Sequence, residues 1–293
     1  MKLLKQKVLP IIMQALSEDI GSGDITTSLV FEKDWVGIAD IVVREECVVA
    51  GIDIAKWIFN VLDEKIIFKA LCSDGERIKR GKRVVSVKGS IKSILTAERT
   101  VLNFIGRLSG IATLTDRFSK KIKGTKAKIL DTRKTTPGLR VLEKYAVRVG
   151  GGHNHRMGLW DGVLIKDNHL EGVRFQAYAS VNRQSSRQNI TESIVTKARA
   201  KGYKNIEIEV NDLKEYKDAL RFGADIIMLD NMEIEDIKKA VKLKSPGVLL
   251  EVSGGVSLEN VTRIAKTGVD RISIGSLTHS APSIDFSLEI NHS

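Results

Sequence analysis

Asn205-Ile206-Glu207-Ile208-Glu209-Val210 is the third of six short apolar segments that recur between residues 127 and 274, separated by stretches with helical patterning. The other five are Ala127-Lys128-Ile129-Leu130, Val163-Leu164-Ile165, Asp225-Ile226-Ile227-Met228-Leu229, Val248-Leu249-Leu250-Glu251-Val252 and Arg271-Ile272-Ser273-Ile274. Strands that alternate with helices are typical of a parallel sheet. No Gly-x-Gly-x-x-Gly turn opens the series, so the pattern favours an α/β barrel over a dinucleotide-binding fold.

Polar residues and glycines follow these predicted strands. They are Asp131, Arg133 and Lys134 after the first strand, Lys166, Asp167, Asn168 and His169 after the second, Asp230-Asn231 after the fourth, Ser253-Gly254-Gly255 after the fifth and Gly275-Ser276 after the sixth. Since the chemistry of a barrel lies at the C-terminal ends of its strands, we expect these residues to converge on one mouth.

Two carboxylates lie on one face of the third strand. Glu207 and Glu209 share that face because side chains alternate along a strand. Carboxylates inside a barrel need partners, which a divalent cation, a lysine or ribose hydroxyls could supply. A structural ion pair with Lys128 or Lys166 is the alternative, and it is the weaker one for Glu209, which lies nearer to the C-terminal end of the strand.

The glycines after the last two strands suggest a phosphate site. In barrels, the backbone N–H groups of these loops often bind phosphate, and glycine lets the backbone approach an oxyanion closely. Ser253-Gly254-Gly255 and Gly275-Ser276 occupy these places. A pair of ordinary tight turns is the alternative.

The first third of the chain has a different pattern. Short β-rich segments broken by glycines, with one helical stretch near residues 54–62, predict a small α/β layer. Residues from about 93 to 120 predict one or two helices, with a small or polar stripe that a ligand or another backbone could approach. That stripe is Arg99, Asn103, Gly106 and Gly110. The lysine-rich N-terminus predicts an amphipathic first helix rather than a signal peptide.

The net charge of +11 limits the classes of partner. It could serve nucleic acid, an anionic membrane face or a small polyanionic substrate, or it could be solvated surface. An aromatic content of 5% without a stacking motif argues against nucleic acid. No apolar run reaches the roughly 20 residues of a membrane span. Cys47 and Cys72 cannot make a disulfide framework, which predicts a reducing, cytoplasmic location.

Residues 131–169 carry the densest charge. Adjacent cations such as Arg133-Lys134 repel each other unless an anion shares them, and arginine forks suit carboxylates and phosphates. Three of the five histidines also lie here, but without cysteine or a close carboxylate pattern they make a weak zinc site. A Schiff-base role for Lys166 stays open.

This central segment resembles the quinolinate phosphoribosyltransferase family. The resemblance is carried by Asp131–Arg140, Lys144-Tyr145-Ala146-Val147, Gly150–Arg156 and Leu164–His169. It extends over nearly the whole chain through Glu18–Thr27, Ala97–Phe104, Leu108–Thr113, Ile227–Asn231, Ser253-Gly254-Gly255 and Thr267–Gly275. It implies a carboxylating nicotinate-nucleotide diphosphorylase, a pentosyltransferase of NAD biosynthesis. Such an enzyme converts quinolinate and phosphoribosyl pyrophosphate to nicotinate mononucleotide, pyrophosphate and CO₂, and requires Mg²⁺.

The resemblance also implies an architecture. It predicts an N-terminal α/β sandwich with its linking helix over residues 1–110 and an incomplete parallel α/β barrel with the active site over residues 111–280. Residues 281–293 would form a C-terminal segment, in which alternation over Ile284–Ile290 predicts a strand that returns to the N-terminal sheet. It further implies a homodimer or larger homo-oligomer, in which Arg99 is donated across the interface.

Roles for individual residues follow from the same resemblance. The predicted ligands of the quinolinate carboxylates are Arg99, Arg133, His155 and Arg156. The predicted charge-neutralising lysines are Lys134 and Lys166. Glu209 and Asp230 would hold ribose hydroxyls, Mg²⁺ or both. The predicted 5′-phosphate site is Ser253, Gly254 and Gly275. The catalytic residues among these are predicted to be Lys134, Lys166, Glu209 and Asp230.

One stretch departs from the family pattern. Residues 173–189 are rich in Arg, Gln, Ser and Asn, and they predict an extended loop or a lengthened helix entry. The rival functions are a related phosphoribosyltransferase acting on another pyridine carboxylate, a basic nucleic-acid-binding protein and a structural oligomer. Thr135-Thr136-Pro137-Gly138 and Asn154-His155-Arg156 favour quinolinate.

Overall fold

The computed structural model describes residues 3–179 and 187–291 of the chain. Its helices are α1 (Lys5–Ile20), α2 (Ile25–Val30), α3 (Ile52–Leu62), α4 (Ile91–Lys121), α5 (Arg140–Val149), α6 (Asp167–Ala179), α7 (Arg187–Ala200), α8 (Leu213–Arg221), α9 (Ile234–Leu243), α10 (Val261–Ala265) and α11 (Ser276–His279). Its strands are β1 (Val36–Val43), β2 (Cys47–Val48), β3 (Ile67–Ala70), β4 (Arg77–Ile78), β5 (Arg83–Ser90), β6 (Lys128–Leu130), β7 (Leu164–Ile165), β8 (Glu207–Val210), β9 (Ile226–Asp230), β10 (Leu249–Ser253), β11 (Arg271–Ser273) and β12 (Phe286–Asn291).

The chain divides into two compact units. The N-terminal unit consists of Met1–Arg117, Lys134–Gly152 and Gly275–Ser293. The barrel unit consists of Phe118–Arg133 and His153–Ile274. No helix of the described ranges is both long and apolar enough to cross a membrane.

The barrel unit is built on a parallel sheet with the strand order β6-β11-β10-β9-β8-β7. The middle strands β8 and β9 are buried on both faces, as expected when helices cover a parallel sheet. Within the described residues, no hydrogen-bonded ladder joins β6 to β7, so the barrel is open there. The incomplete parallel α/β barrel is therefore confirmed, and its strands lie where the sequence predicted them.

The strand register sets the residues that face the barrel interior. Arg271 pairs with Glu251, Glu251 with Met228, and Met228 with Glu209. One step further toward the C-terminal ends, Ser253 pairs with Asp230. Because side chains alternate along each strand, all of these residues share one face.

The N-terminal unit contains an antiparallel sheet with the order β12-β1-β5-β3. The C-terminal strand β12 pairs with β1 from Ile38 to Val43, and it forms the edge of this sheet. Helices α1 and α3 pack together in the same unit. The predicted α/β sandwich is thus present, and α1 is the predicted first helix.

Helix α4 is a single helix of 31 residues rather than two. On its small stripe, a Cβ added to Gly106 would lie 2.7 Å from the carbonyl oxygen of Ile284, and one added to Gly110 would lie 1.9 Å from that of Pro282. Another stretch of backbone therefore approaches the helix at these two glycines.

The insertion between His169 and Glu209 is helical at both of its described ends. Residues 173–179 close α6 and residues 187–189 open α7, whereas residues 180–186 lie outside the described residues. Arg187 pairs with Asp167 and, at 3.3 Å, with Glu215. The start of α7 is therefore held by two carboxylates of the barrel unit.

Gly110→Ala is expected to destabilise the fold because its methyl group would overlap a backbone carbonyl. We expect a loss of about 1–3 kcal/mol in the free energy of unfolding, measured by urea denaturation. Gly172→Ala is the matched control, since Gly172 is also helical and has open space around its Cβ position. That variant should gain about 0.5–1 kcal/mol. Equal stabilities of the two variants would contradict the close approach.

Candidate active site

A buried carboxylate organises the loop that follows α5. Asp131 is fully buried directly after β6. Its oxygens accept hydrogen bonds from the side-chain amide of Asn154 and, at 2.9 Å, from the backbone N–H of His155. A parallel bridge between Leu130 and His153 continues the attachment. The predicted Asn154-His155-Arg156 motif is therefore fixed to the end of the first barrel strand.

The imidazole of His155 contacts protein groups through both ring nitrogens. Its Nδ1 accepts a hydrogen bond of 2.8 Å from the backbone N–H of Arg156. Its Nε2 lies 3.0 Å from Glu207 Oε2 and 3.4 Å from Glu251 Oε1. The side chains of these three residues are 10%, 4% and 0% exposed. They form a buried cluster, which we call the interior acid cluster. One possible ligand atom from each residue lies within 4.8 Å of the other two, a spacing at which three ligands could share a metal ion.

Glu251 is the most deeply buried member of this cluster. The hydroxyl of Ser273 donates a hydrogen bond to its Oε1, and Arg271 lies 3.8 Å from its Oε2. Burial, together with the negative charge of Glu207, raises the pKa of Glu251 to about 7. Both effects disfavour the ionised carboxylate.

Two arginines form the cationic part of the site. Burial and the neighbouring charge of Arg133 lower the pKa of Arg156, while Glu207 opposes that shift. Arg156 also donates a hydrogen bond of 3.0 Å to the carbonyl of Gly162. Two guanidinium groups close enough to repel each other form a place that an anionic ligand stabilises.

The lysine–carboxylate pair of the mouth forms at Glu209. Lys166 Nζ lies 2.5 Å from Glu209 Oε2, whereas Glu207 contacts His155. The sequence favours an ion pair with a lysine at Glu207 over one at Glu209. This expectation is wrong, because the pair forms at Glu209. The deeper position of Glu207 places it beside the imidazole. Because Lys166 is paired with a carboxylate, its side chain is better suited to bind anions as an ammonium ion than to act as a Schiff-base nucleophile.

The ends of β9 and β10 are joined by Asn231, which the sequence places at the predicted mouth without a role. Its backbone has a positive φ of 53°. Its N–H donates to the carbonyl of Ser253 at 2.9 Å, and its side-chain amide donates to Asp230 Oδ2 at 2.9 Å. A Cβ on Gly254 would lie 2.1 Å from Asn231 Oδ1. Gly254 is therefore required by the approach of Asn231, and an Asn at a strand end, a type that tolerates positive φ, was the available signal.

The remaining predicted site residues lie in the N-terminal unit. Gly275 is so close to Lys134 that an added Cβ would lie 3.0 Å from the lysine Cδ. The backbone carbonyl of Lys134 accepts a hydrogen bond of 2.6 Å from the hydroxyl of Thr278. Arg99 is an exposed residue of α4.

A buried acid also supports the loop after Lys134. The carboxylate of Glu143 accepts hydrogen bonds from the backbone N–H of Thr136 at 3.0 Å and from its hydroxyl at 2.8 Å. Arg107 donates to the same carboxylate at 2.7 Å. Sequence reasoning missed this support because Glu143 and Arg107 lie on different helices with no shared motif.

Glu209 and Asp230 could hold a magnesium ion. Both are only partly exposed, and they lie on neighbouring strands, with Asp230 one step nearer to the strand ends. Mg²⁺ is usually bound through one or two carboxylates plus waters and substrate phosphates. The donor set therefore fits a magnesium ion that is shared with a phosphorylated substrate.

Glu251→Gln is expected to remove a pH dependence of stability. Because the pKa of Glu251 rises from 4.5 to about 7 on folding, the folded protein holds a proton that the unfolded chain releases between these values. The free energy of unfolding of the wild type should therefore fall as pH rises through this window, by up to about 1.4 kcal/mol per pH unit. Glutamine has the same shape and no titrating proton.

Urea unfolding of both proteins at several pH values between about 4.5 and about 7 measures this effect. The stability of the wild type relative to Glu251→Gln should decrease steadily with pH. A difference that stays constant would contradict the raised pKa.

Known proteins match this chain over both units. The family model for the quinolinate phosphoribosyl transferase N-terminal domain matches residues 24–109, and the model for the C-terminal domain matches residues 111–289. The chain is 40% identical over 274 residues to a probable nicotinate-nucleotide pyrophosphorylase [carboxylating] of Bacillus subtilis, covering 93% of this chain and 90% of that protein.

Two further matches have the same character. The nicotinate-nucleotide pyrophosphorylase [carboxylating] of Mycobacterium leprae is 40% identical over 287 residues, which is 95% of each chain. The solved structure of the nicotinate-nucleotide pyrophosphorylase from Francisella tularensis has a TM-score of 0.88 and 42% identity, covering 99% of this chain and 98% of that one. The chain therefore belongs to the quinolinate phosphoribosyltransferase family.

Proposed function

We propose that this protein transfers the phosphoribosyl group of phosphoribosyl pyrophosphate to quinolinate, with loss of CO₂, to form nicotinate mononucleotide and pyrophosphate. The relatives named above are carboxylating nicotinate-nucleotide pyrophosphorylases. The single observation that carries the proposal is the arrangement of the barrel unit. It places two adjacent arginines, Arg133 and Arg156, in a unit whose strand ends carry the carboxylates Glu209 and Asp230.

The arginines suit the acid substrate. Quinolinate carries two carboxylates on neighbouring ring carbons, and planar guanidinium groups bind carboxylates in bidentate geometry. Arg133 and Arg156 are the ligands in the barrel unit, and His155 directly precedes Arg156 in the chain. Lys134 and Lys166 would offset the remaining negative charge of the two substrates.

The strand ends suit the phosphoribosyl donor. Glu209 and Asp230 present carboxylate oxygens that would hold the ribose hydroxyls and Mg²⁺. The bound ion would neutralise the pyrophosphate and orient it for departure. Ser253 and Gly254 lie on the neighbouring strand end and would take the 5′-phosphate.

The chemistry asks the protein mainly to position charge. Pyrophosphate leaves C1 of the ribose as the quinolinate nitrogen approaches, through an oxocarbenium-like state. Holding the nitrogen in line with C1 makes the step effectively unimolecular, and fixed charges stabilise the departing anion. Loss of CO₂ follows because the positive charge of the quaternised ring nitrogen stabilises the electron pair left on the neighbouring ring carbon, which then takes up a proton from water.

Both cysteines are free thiols, which supports a reducing, cytoplasmic location.

The test is an assay of the purified protein with quinolinate, phosphoribosyl pyrophosphate and Mg²⁺. Formation of nicotinate mononucleotide is the expected result, and a folded protein that forms none would overturn the proposal. Nicotinate in place of quinolinate tests for another pyridine carboxylate as substrate. Faster turnover of nicotinate would favour that alternative.

Arg133→Ala should weaken quinolinate binding selectively. A lost hydrogen bond to a charged group costs about 1.5–3 kcal/mol, which corresponds to a rise of roughly 10- to 150-fold in the KM for quinolinate. The KM for phosphoribosyl pyrophosphate should stay within about twofold. Arg174→Ala is the control, because Arg174 is an exposed arginine of the same unit that pairs with Glu171, and surface pairs contribute about 0–1 kcal/mol. An unchanged KM for quinolinate in Arg133→Ala would remove Arg133 from the site.

We further propose that the protein acts as a dimer in which Arg99 enters the site of the partner subunit. Its exposed position on α4 supports this idea. At quinolinate concentrations near the wild-type KM, Arg99→Ala and Arg133→Ala chains should each turn over quinolinate only slowly when alone. Random mixing of the two chains in equal amounts should restore up to about a quarter of the wild-type activity, since about half of the dimers are mixed and one of the two symmetric sites in each mixed dimer is intact. No recovery in mixed dimers verified by mass would argue against the donated arginine.

A further inference from the structure

The two acids of the interior acid cluster have no role in the transfer reaction as described above. It buries two carboxylates, Glu207 and Glu251, beside one imidazole. Glu207 Oε1 and Glu251 Oε2 each lack a hydrogen-bond partner in the described part of the chain. Burial of such groups costs several kcal/mol unless they are paired, so the cluster needs an explanation.

A metal centre is the first explanation, since the three donor atoms are close together. The hydrogen bond at the other ring nitrogen argues against it. Histidines that bind metals almost always donate a hydrogen bond from the second ring nitrogen. Here Nδ1 of His155 accepts one, from the backbone N–H of Arg156. An accepting Nδ1 leaves the ring proton on Nε2, and a protonated Nε2 has no lone pair for a metal.

Nε2, which carries the ring proton, is the nitrogen that lies near the two acids. Glu207 Oε2 is 3.0 Å from it and Glu251 Oε1 is 3.4 Å from it, both within ion-pair distance. A ring held in this way cannot turn to the other tautomer without placing an N–H against the N–H of Arg156. The acids and the backbone of Arg156 therefore specify the same orientation of the ring.

The ring in turn supports the residue that follows it. The backbone of His155 is fixed by Asp131, and its Nδ1 holds the N–H of Arg156. The Arg156 side chain is then anchored by Gly162. Glu207 also lies near enough to Arg156 to stabilise its charge. The orientation of the imidazole ring therefore influences the position of the Arg156 guanidinium, which is assigned to quinolinate.

We propose that Glu207 and Glu251 are positioning residues for the acid substrate, which fix His155 as the Nε2–H tautomer so that its Nδ1 holds the backbone of Arg156 in place. The inference rests on the proposed function, because it assumes that Arg156 binds quinolinate. It assigns the two acids a part in recognition of the acid substrate rather than in binding of the phosphoribosyl donor.

The kinetic test compares two substitutions at one position. Glu207→Leu removes the acceptor, and it should raise the KM for quinolinate by about tenfold, the lower end of the cost of a hydrogen bond to a charged group. Glu207→Gln keeps an acceptor oxygen and should restore most of the affinity. In both variants the KM for phosphoribosyl pyrophosphate should stay within about twofold of that of the wild type. Glu192→Leu, which replaces an exposed glutamate of α7, is the matched control and should change neither KM.

A merely structural role predicts a different pattern. Glu207→Leu would then lower kcat or change both KM values together, and Glu207→Gln would not restore the quinolinate KM selectively. Either result would overturn the proposal.

A spectroscopic test needs neither activity nor a folded leucine variant. Long-range proton–nitrogen NMR spectra of protein labelled with ¹⁵N-histidine distinguish the tautomers of the five histidines, and the His155→Gln spectrum identifies the signal of His155. We expect the Nε2–H tautomer in the wild type. An Nδ1–H tautomer would overturn the proposal. So would one equivalent of divalent metal in the purified protein that is lost in His155→Gln.

The two tests separate the possible failures. A wild-type protein that shows the Nε2–H tautomer but turns over no quinolinate would contradict the proposed function and leave the ring geometry intact. An active protein with the wrong tautomer would contradict only the positioning role.

Discussion

The barrel unit depends on the pairing of carboxylates that are buried inside it. Asp131 and Glu251 are fully buried, and Glu207 is nearly so. An unpaired charge at such depth would cost several kcal/mol, a large fraction of the stability of a typical domain. Their partners come mainly from the loop that carries His155. The same pairing that makes the interior tolerable therefore fixes the loop that bears the site.

Two glutamates on the same face of β8 lie in different environments. Glu207 and Glu209 share a face of β8, but they differ by one step in height along the barrel. The lower acid lies beside a buried imidazole, and the upper one pairs with Lys166, whose side chain is 43% exposed. A step of two residues advances a strand by about 6.6 Å. That distance separates an acid that supports the site from one that can take part in it.

The sequence was sufficient to predict the fold and the positions of the polar strand ends. The strands of the barrel follow from apolar periodicity, and the chemistry of their ends follows from barrel geometry. Side-chain partners could not be predicted in this way. His155 meets Glu207 across 52 positions of sequence and Arg107 meets Glu143 across 36, and no local pattern encodes such pairs. The part played by Asn231 could not be predicted, because it depends on a side chain that lies where a Cβ on Gly254 would be.

In the candidate site, the acids and the cations lie on different kinds of element. The acids Glu207, Glu209, Asp230 and Glu251 lie on strands, whereas the cations Arg133, Arg156 and Lys166 lie on connecting segments. Strands are the more rigid elements, so the acids form a fixed frame. The cations lie on loops that this frame positions, so they are held ready for an anionic ligand. A phosphoribosyltransferase that accepts two anions needs cations, and acids beneath those cations keep them in place before either substrate arrives.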